Sequence, residues 1–188
     1  MMAVVFASMF GAFAFLSQRE IFSDLWQADA ETLDEFIVEI NAGSRGAYSS
    51  AGYAVFEEYP MTGVGLGASG FTMYQNLPEW SLTNLPEIAR QLSPESRLYP
   101  NPKNFYIRLL AETGLLGFLL FLAFHFHILG DILSALKQNQ TWARFAAVAG
   151  VFAWLAVTFY NATQDSFATP NIWLVSGIMT GLAVHSKT

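Results

Sequence analysis

The chain has 188 residues, of which 53% are hydrophobic and 13% are charged, and its formal net charge is −6. Soluble domains usually carry about 25% charged residues, so this composition is typical of a protein whose bulk lies in a membrane. The negative charge argues against nucleic acid as a partner, because phosphate binding needs clustered Lys and Arg. With no cysteine, the sequence excludes disulfides and thiolate metal sites.

The N-terminal block, residues 1–16, is apolar and uncharged. At about 1.5 Å of rise per residue it is shorter than the roughly 30 Å hydrocarbon core of a bilayer. It lacks the positive start of a signal peptide, although Ala12-Phe13-Ala14 resembles a weak cleavage site. We therefore expect a transmembrane helix whose beginning is missing, which would make the chain the C-terminal part of a longer protein.

Three later blocks are apolar and nearly free of charge, as membrane spans are. The last of them opens with Thr169-Pro170, a pattern typical of a cap followed by proline at the first helical position. The predicted fold is an all-α integral membrane protein with about four transmembrane helices. Besides the N-terminal block, these helices are residues 114–136, 142–161 and 170–185.

The orientation of the spans follows from the positive residues in short segments, which favour the cytoplasmic side. Lys137 lies in the link between the second and third predicted spans, Arg144 lies just inside the third, and Lys187 lies in the C-terminal tail. We therefore expect residues 17–113 to form an extracytoplasmic loop domain. A loop of this length crosses the membrane regardless of its charge.

The predicted loop domain is partly helical. One amphipathic helix is indicated by apolar residues at i, i+3, i+4 and i+7, namely Leu33, Phe36, Ile37 and Ile40. A second helix is predicted from Ser44 to Tyr59, where Pro60 ends it. Its apolar stripe consists of Tyr48, Ala51, Val55, Phe56 and Tyr59. Residues 75–102 hold five of the seven prolines and are expected to be irregular.

Gly65-Leu66-Gly67-Ala68-Ser69-Gly70 matches the dinucleotide fingerprint letter for letter. That fingerprint needs a preceding strand, and here a helix is predicted instead. A tight turn beside a membrane surface or a ligand is the better interpretation. His125 and His127 point about 200° apart on a helix and do not share a metal, so hydrogen bonding is expected of them.

Polar residues recur at the mouth of the second span. Asn104, Arg108 and Glu112 are four residues apart and share one helix face, which indicates either a polar cavity or a solvent-exposed ion pair. Arg45 begins a helix, where an anionic ligand would offset its unfavourable position. Asp165, in the short link before the last span, is a further candidate for substrate contact.

These residues resemble, in order, the motifs of the bacterial O-antigen ligase and polymerase family. The family's arginine before a helix matches Arg45, and its P-x-x-G-x-G turn matches residues 60–65. Its motif running from an asparagine through a glutamate and a glycine into a membrane helix matches Asn104 to Gly117. The frequent histidine before that asparagine is Lys103 here, and family members usually have many more spans.

The resemblance implies a C-terminal fragment of a larger GT-C-like fold. The activity it implies is metal-independent transfer of a glycan from undecaprenyl diphosphate to an acceptor sugar hydroxyl, without a cofactor. The expected location is the bacterial inner membrane, with the site facing the periplasm or the cell exterior. The implied catalytic residues are Lys103, Arg108 and Glu112, and the implied substrate-binding residues are Arg45, Asn104, Tyr106 and Gly65.

The shared motifs do not distinguish a polymerase from a ligase, because only the acceptor differs. The expected partners are the lipid-linked oligosaccharide donor, a glycan or lipid acceptor, and other polysaccharide-assembly proteins. Two alternatives remain from the residues themselves. One is a transporter or flippase component, which charged residues deep within the spans would favour. The other is an inactive membrane fragment.

Overall fold

The computed structural model describes residues 31–32, 35–36, 43–166 and 168–185. Within these ranges the regular secondary structure is helical and there is no strand, so the all-α prediction is confirmed there. The α-helices are α1 (Gly43–Glu58), α2 (Ser69–Thr72), α3 (Glu79–Asn84), α4 (Pro86–Leu92), α5 (Phe105–Leu136), α6 (Thr141–Asn161) and α7 (Pro170–His185). Short 3-10 helices lie at Met73–Asn76 and Pro94–Ser96.

Two of the described helices, α5 and α6, are long and apolar enough to cross a membrane. They have 32 and 21 residues, and about 20 residues cover the hydrocarbon core. Their surfaces expose large apolar side chains, as lipid-facing helices do, including Leu116, Leu120, Phe145, Phe152 and Phe159. Helix α7 begins at Pro170, as predicted, but has 16 residues. A fourth span there stays a prediction, and the predicted span at residues 1–16 lies outside the described residues.

Helices α5, α6 and α7 pack against one another through two apolar clusters. The first cluster consists of Phe105, Leu109, Phe121, Val157 and Ile172, and the second of Ile128, Ile132, Ala135, Ala147 and Met179. His125 is buried beside the first cluster, with Nε2 2.8 Å from Thr158 Oγ1. His127 is exposed on the other side of α5. The hydrogen bond of His125 agrees with the interpretation from the sequence, whereas the His127 Nε2 lies 3.9 Å from Asp131 Oδ2.

Helix α1 is the central element of residues 43–104, the part of the predicted loop domain (residues 17–113) that the structure describes without a gap before α5, and the name loop domain is used for this part below. It differs by one residue at each end from the predicted helix, and it stops two residues before Pro60. Its buried face packs on α4, the first 3-10 helix and α5 through Ala47, Tyr48, Ala51, Val55, Met73, Ile88, Leu92 and Ala111. The predicted apolar stripe extended too far toward the C-terminus, because Tyr59 lies beyond the helix and is 48% exposed. The predicted helix over residues 33–40 lies mostly outside the described residues.

The expectation that residues 75–102 are irregular was wrong. Helices α3 and α4 both lie in this segment. Pro86 is the first residue of α4, and Pro78 is the N-cap of α3 in an extended conformation. A proline at the start of a helix removes no intrahelical hydrogen bond, so prolines here begin helices rather than preventing them.

A kink in α5 joins the loop domain to the span. Gly114 interrupts the helix with φ 63° and ψ −167°. The segment after α1 lies along the kink, with the Val64 N–H donating to the Ala111 carbonyl at 3.0 Å. The Leu115 N–H donates to the Pro60 carbonyl at 2.8 Å. These bonds satisfy backbone groups that the kink removes from the helix.

Candidate functional site

Glu112 is the most buried charged residue in the described part of the chain, with 1% of its surface exposed. Its Oε1 accepts hydrogen bonds from Arg108 Nε at 3.0 Å and from Ser69 Oγ at 2.8 Å. Its Oε2 accepts one from the Gly67 N–H at 2.8 Å. The predicted Arg108–Glu112 pair is therefore a buried ion pair and not a solvent-exposed one.

The glycine-rich turn is bound to both the backbone and the side chain of Glu112. The Gly65 N–H donates to the Glu112 carbonyl at 2.9 Å, and Gly67 and Ser69 bind the Glu112 side chain. The turn follows α1, and the described residues hold no strand in front of it. The dinucleotide interpretation therefore lacks its structural context, as the sequence indicated.

Asn104 and Tyr106 make hydrogen bonds within the protein. Asn104 is the N-cap of α5, and its Oδ1 accepts hydrogen bonds from the Tyr106 and Ile107 N–H groups at 3.0 and 3.2 Å. The Tyr106 hydroxyl donates to the Thr158 carbonyl at 2.8 Å and so ties α5 to α6. Substrate contacts by Asn104, Tyr106 and Gly65 stay predictions.

A cleft of about 260 Å³ brings together residues that are far apart in the chain. It is lined by Ser44, Arg45, Tyr48, Lys103, Thr163, Gln164 and Asp165. Arg45 is exposed in the first turn of α1, and its Nη1 donates to the Thr163 carbonyl at 2.8 Å. Lys103 Nζ lies 5.6 Å from the ring centroid of Tyr48. Burial raises the pKa of the Tyr48 phenol, so that side chain is neutral at physiological pH.

The link between α6 and α7 accepts hydrogen bonds from the guanidinium groups of Arg45 and Arg108 and from the backbone N–H of Lys103. Besides the bond from Arg45 to Thr163, the Lys103 N–H donates to Asp165 Oδ2 at 3.1 Å. Arg108 Nη1 donates to the Asp165 carbonyl. Lys103 has φ 61°, a left-handed conformation that is uncommon outside glycine. The bond to Asp165 helps to hold Lys103 in that conformation.

The charges in the cleft favour an anion. In the described part of the chain, the cleft is lined by two cationic side chains, Arg45 and Lys103, and by one carboxylate, Asp165. The cleft also lies at the N-terminus of α1, whose 16 residues include no acidic residue in the first turn. Backbone N–H groups and the helix dipole at such an end attract negative charge. Among the described residues no group of His, Asp and Glu side chains could hold a metal ion.

Sequence reasoning missed Thr163 and Gln164, which line the cleft. Neither lies in a motif, and neither has a spacing that indicates a site. It did single out Arg45 and Lys103, but it gave no reason to place them in one cleft. The arrangement depends on the contact between α1, the start of α5 and the link after α6.

Comparison with known proteins agrees with the resemblance of the motifs. A family model described as O-antigen ligase matches residues 1–122, which include Arg45, the glycine-rich turn and the buried Arg108–Glu112 pair. No curated protein and no solved structure matches the chain. The family match covers more than half of the 188 residues. The chain belongs to the O-antigen ligase family.

Proposed function

We propose that this protein transfers a glycan from an undecaprenyl-diphosphate carrier to a sugar hydroxyl of an acceptor at the outer face of the bacterial inner membrane. Family membership supports ligase- or polymerase-type transfer by a membrane protein. The single observation that supports a diphosphate-linked donor is that Arg45 and Lys103 line one cleft at the N-terminus of α1. A lipid-linked diphosphate is the ligand whose charge suits this cleft.

The chemistry of the donor explains the need for cations. Transfer breaks the bond between the anomeric carbon and the diphosphate oxygen, so negative charge develops on the leaving diphosphate. Donors fixed in place around that charge stabilise the transition state without reorganisation. Arg45 presents a planar fork that binds two phosphate oxygens, and Lys103 supplies a point charge. In this proposal the cationic side chains of the protein stabilise the leaving diphosphate, and no metal ion is needed.

In this proposal Arg108 and Glu112 do not bind the diphosphate themselves but support the residues that do. Arg108 binds the Asp165 carbonyl and the Glu112 carboxylate, so its charge is fixed beside the cleft wall. Glu112 already accepts three hydrogen bonds and is 1% exposed. An acceptor hydroxyl therefore has little access to it. We assign Glu112 as a positioning residue that orients Arg108, with Asn104, Tyr106 and Gly65 fixing the helices and the turn around it.

Substitution of Arg45 tests the proposal. Arg45→Ala at the native chromosomal locus is expected to abolish transferred glycan and to cause lipid-linked glycan to accumulate on the outer face. Arg45→Lys is expected to restore transfer only in part, because a point charge replaces a bidentate fork. Arg90→Ala is the matched control, since Arg90 is exposed on α4 and does not line the cleft.

Two outcomes would overturn the proposal. One is normal transfer of glycan in the Arg45→Ala strain with normal protein levels. The other is accumulation of lipid-linked glycan on the cytoplasmic face, which would indicate a transporter of the carrier. Side-specific oxidation of the glycan in sealed vesicles distinguishes the two faces.

A further inference from the structure

Among the residues that the structure describes, the carboxylate that lines the cleft described above is that of Asp165. This residue lies beyond residue 122, where the family match ends. Its neighbours on the cleft walls include Arg45 and Lys103. The other candidate carboxylate, Glu112, is buried behind the wall and already accepts three hydrogen bonds. A proton leaving a substrate in the cleft therefore has Asp165 as its accessible carboxylate.

We propose that Asp165 is the general base that accepts the proton of the acceptor hydroxyl. This inference rests on the proposed glycan transfer. The acceptor oxygen forms a bond to the anomeric carbon while the bond between that carbon and the diphosphate oxygen breaks. The electron pair of the broken bond leaves with the lipid diphosphate, beside Arg45 and Lys103. The hydroxyl proton passes to the Asp165 carboxylate, which then releases it to solvent.

The hydrogen bonding of Asp165 suits this role. An ionised carboxylate is an acceptor only, with about four lone-pair sites on its two oxygens. Its Oδ2 takes the Lys103 N–H at 3.1 Å, and that bond leaves capacity for an acceptor hydroxyl. A base must also be held within hydrogen-bond reach of the proton it removes. Arg108 on the Asp165 carbonyl and Arg45 on the Thr163 carbonyl fix the backbone on both sides.

Lys103 is the other residue that a base assignment would consider. A lysine must lose its proton before it accepts one, whereas its positive charge is needed next to the leaving diphosphate. Asp165 and Lys103 thus have different roles. The carboxylate accepts the proton, and the ammonium stabilises the charge on the leaving diphosphate. The bond from the Lys103 backbone N–H to Asp165 Oδ2 places the Lys103 backbone beside that carboxylate, and both side chains line the cleft.

A positioning role for Asp165 is the competing interpretation, and Asp165→Asn separates it from catalysis. The asparagine oxygen still accepts the Lys103 N–H, but the amide is not a base. If Asp165 is the base, transfer by Asp165→Asn falls by about 10²–10⁴-fold. Retention of the lipid-linked donor by the protein stays unchanged. Asp165→Glu, which keeps the carboxylate, recovers part of the rate.

The measurement is single-turnover transfer of the host's own lipid-linked glycan in membranes that carry each variant at the native locus. Transfer by Asp165→Asn within threefold of the parent would overturn the proposal and leave a positioning role. Where Asp165→Asn lowers the amount of protein in the membrane, Asp165→Glu decides: an active glutamate supports the base, and an inactive one at normal protein levels overturns it. Glu87→Gln, an exposed carboxylate on α4, is the matched control.

The pH dependence gives a readout that a structural role would not change. Between pH 6 and 8 the transfer rate of the parent is expected to change less with pH than the rate of Asp165→Asn does. Residual transfer by Asp165→Asn is expected to rise with pH, because hydroxide then takes the proton. A flat profile for Asp165→Asn would count against the base. Failure of the glycan-transfer proposal itself shows separately, as an active Arg45→Ala variant in the same membranes.

Discussion

Gly114 lies against the backbone of Met61 so closely that a β-carbon on the glycine would overlap the Met61 carbonyl group. Gly114 also has φ 63° and ψ −167°, a combination that is open almost only to glycine. The close approach allows the Leu116 N–H to donate to the Met61 carbonyl at 3.3 Å. One glycine thus joins the loop domain to the span, two residues from the buried Glu112.

We expect Gly114→Ala to destabilise this junction. The backbone strain alone costs about 1–3 kcal/mol, and the overlap with Met61 adds to it. The apparent melting temperature of the detergent-solubilised protein should therefore fall by several degrees. Gly130→Ala is the control on the same helix, because a β-carbon there meets no atom within 4 Å. Equal melting temperatures for the two variants would contradict the role of Gly114.

Removing the Glu112 carboxylate is expected to be more damaging than removing one of its partners. Glu112→Ala leaves the Arg108 charge without its buried partner, which typically costs about 3–5 kcal/mol. Ser69→Ala removes one neutral hydrogen bond to the same oxygen and should cost about 1 kcal/mol. Thermal unfolding and transfer rate measured on both variants check this order. A Glu112→Ala protein as stable as Ser69→Ala would show that the ion pair contributes little.

Lys103 is expected to stabilise the charge of the leaving diphosphate and not to act as a base, and histidine and arginine variants test this by pH. Lys103→Arg should keep most of the transfer activity. Lys103→His should be active at pH 6 and lose activity toward pH 8, because histidine with its ordinary pKa of about 6.5 becomes neutral. If Lys103 were instead a base, the arginine variant would be inactive and the histidine variant would gain activity with pH. Transfer rates at three pH values in this range distinguish the two.

The membrane orientation is testable by single-cysteine labelling, because the chain has no native cysteine. A cysteine at Leu98, which is 61% exposed in the loop domain, should react with an impermeant maleimide in intact cells. A cysteine at Gln138, in the link between α5 and α6, should react only after the cells are opened. Labelling of Gln138→Cys in intact cells would reverse the orientation and move the cleft to the cytoplasmic side.

Local sequence signals predicted the elements of the site well. Pro60 predicted the end of α1, and the four-residue recurrence that begins at Asn104 indicated a helix, which begins at Phe105 with Asn104 as its cap. The four-residue spacing of Arg108 and Glu112 predicted their contact correctly. Each of these features depends on residues within one turn of each other, so the sequence contains the required information.

Contacts between distant segments were not predictable in the same way. No periodic pattern in the sequence indicates that the segment after α1 pairs with the kink at Gly114. A glycine within an apolar helix predicts only that the helix is less stable at that residue. The place of Asp165 beside Lys103 depends on how α6 and α7 pack on α5, which single-sequence patterns do not specify. Asp165 could be singled out as a charge in a short link, but its bond to the Lys103 N–H could not.

The claim that the cleft at the start of α1 holds the lipid-linked diphosphate is tested most directly by photocrosslinking. A photoreactive amino acid at Ser44, which lines the cleft, should capture the host's lipid-linked glycan in intact membranes, as detected by mass spectrometry. The same amino acid at Ser50, exposed on the same helix but outside the cleft, should capture little. Adding Arg45→Ala should abolish capture at position 44. Equal capture at both positions, or capture that persists in Arg45→Ala, would contradict the assignment.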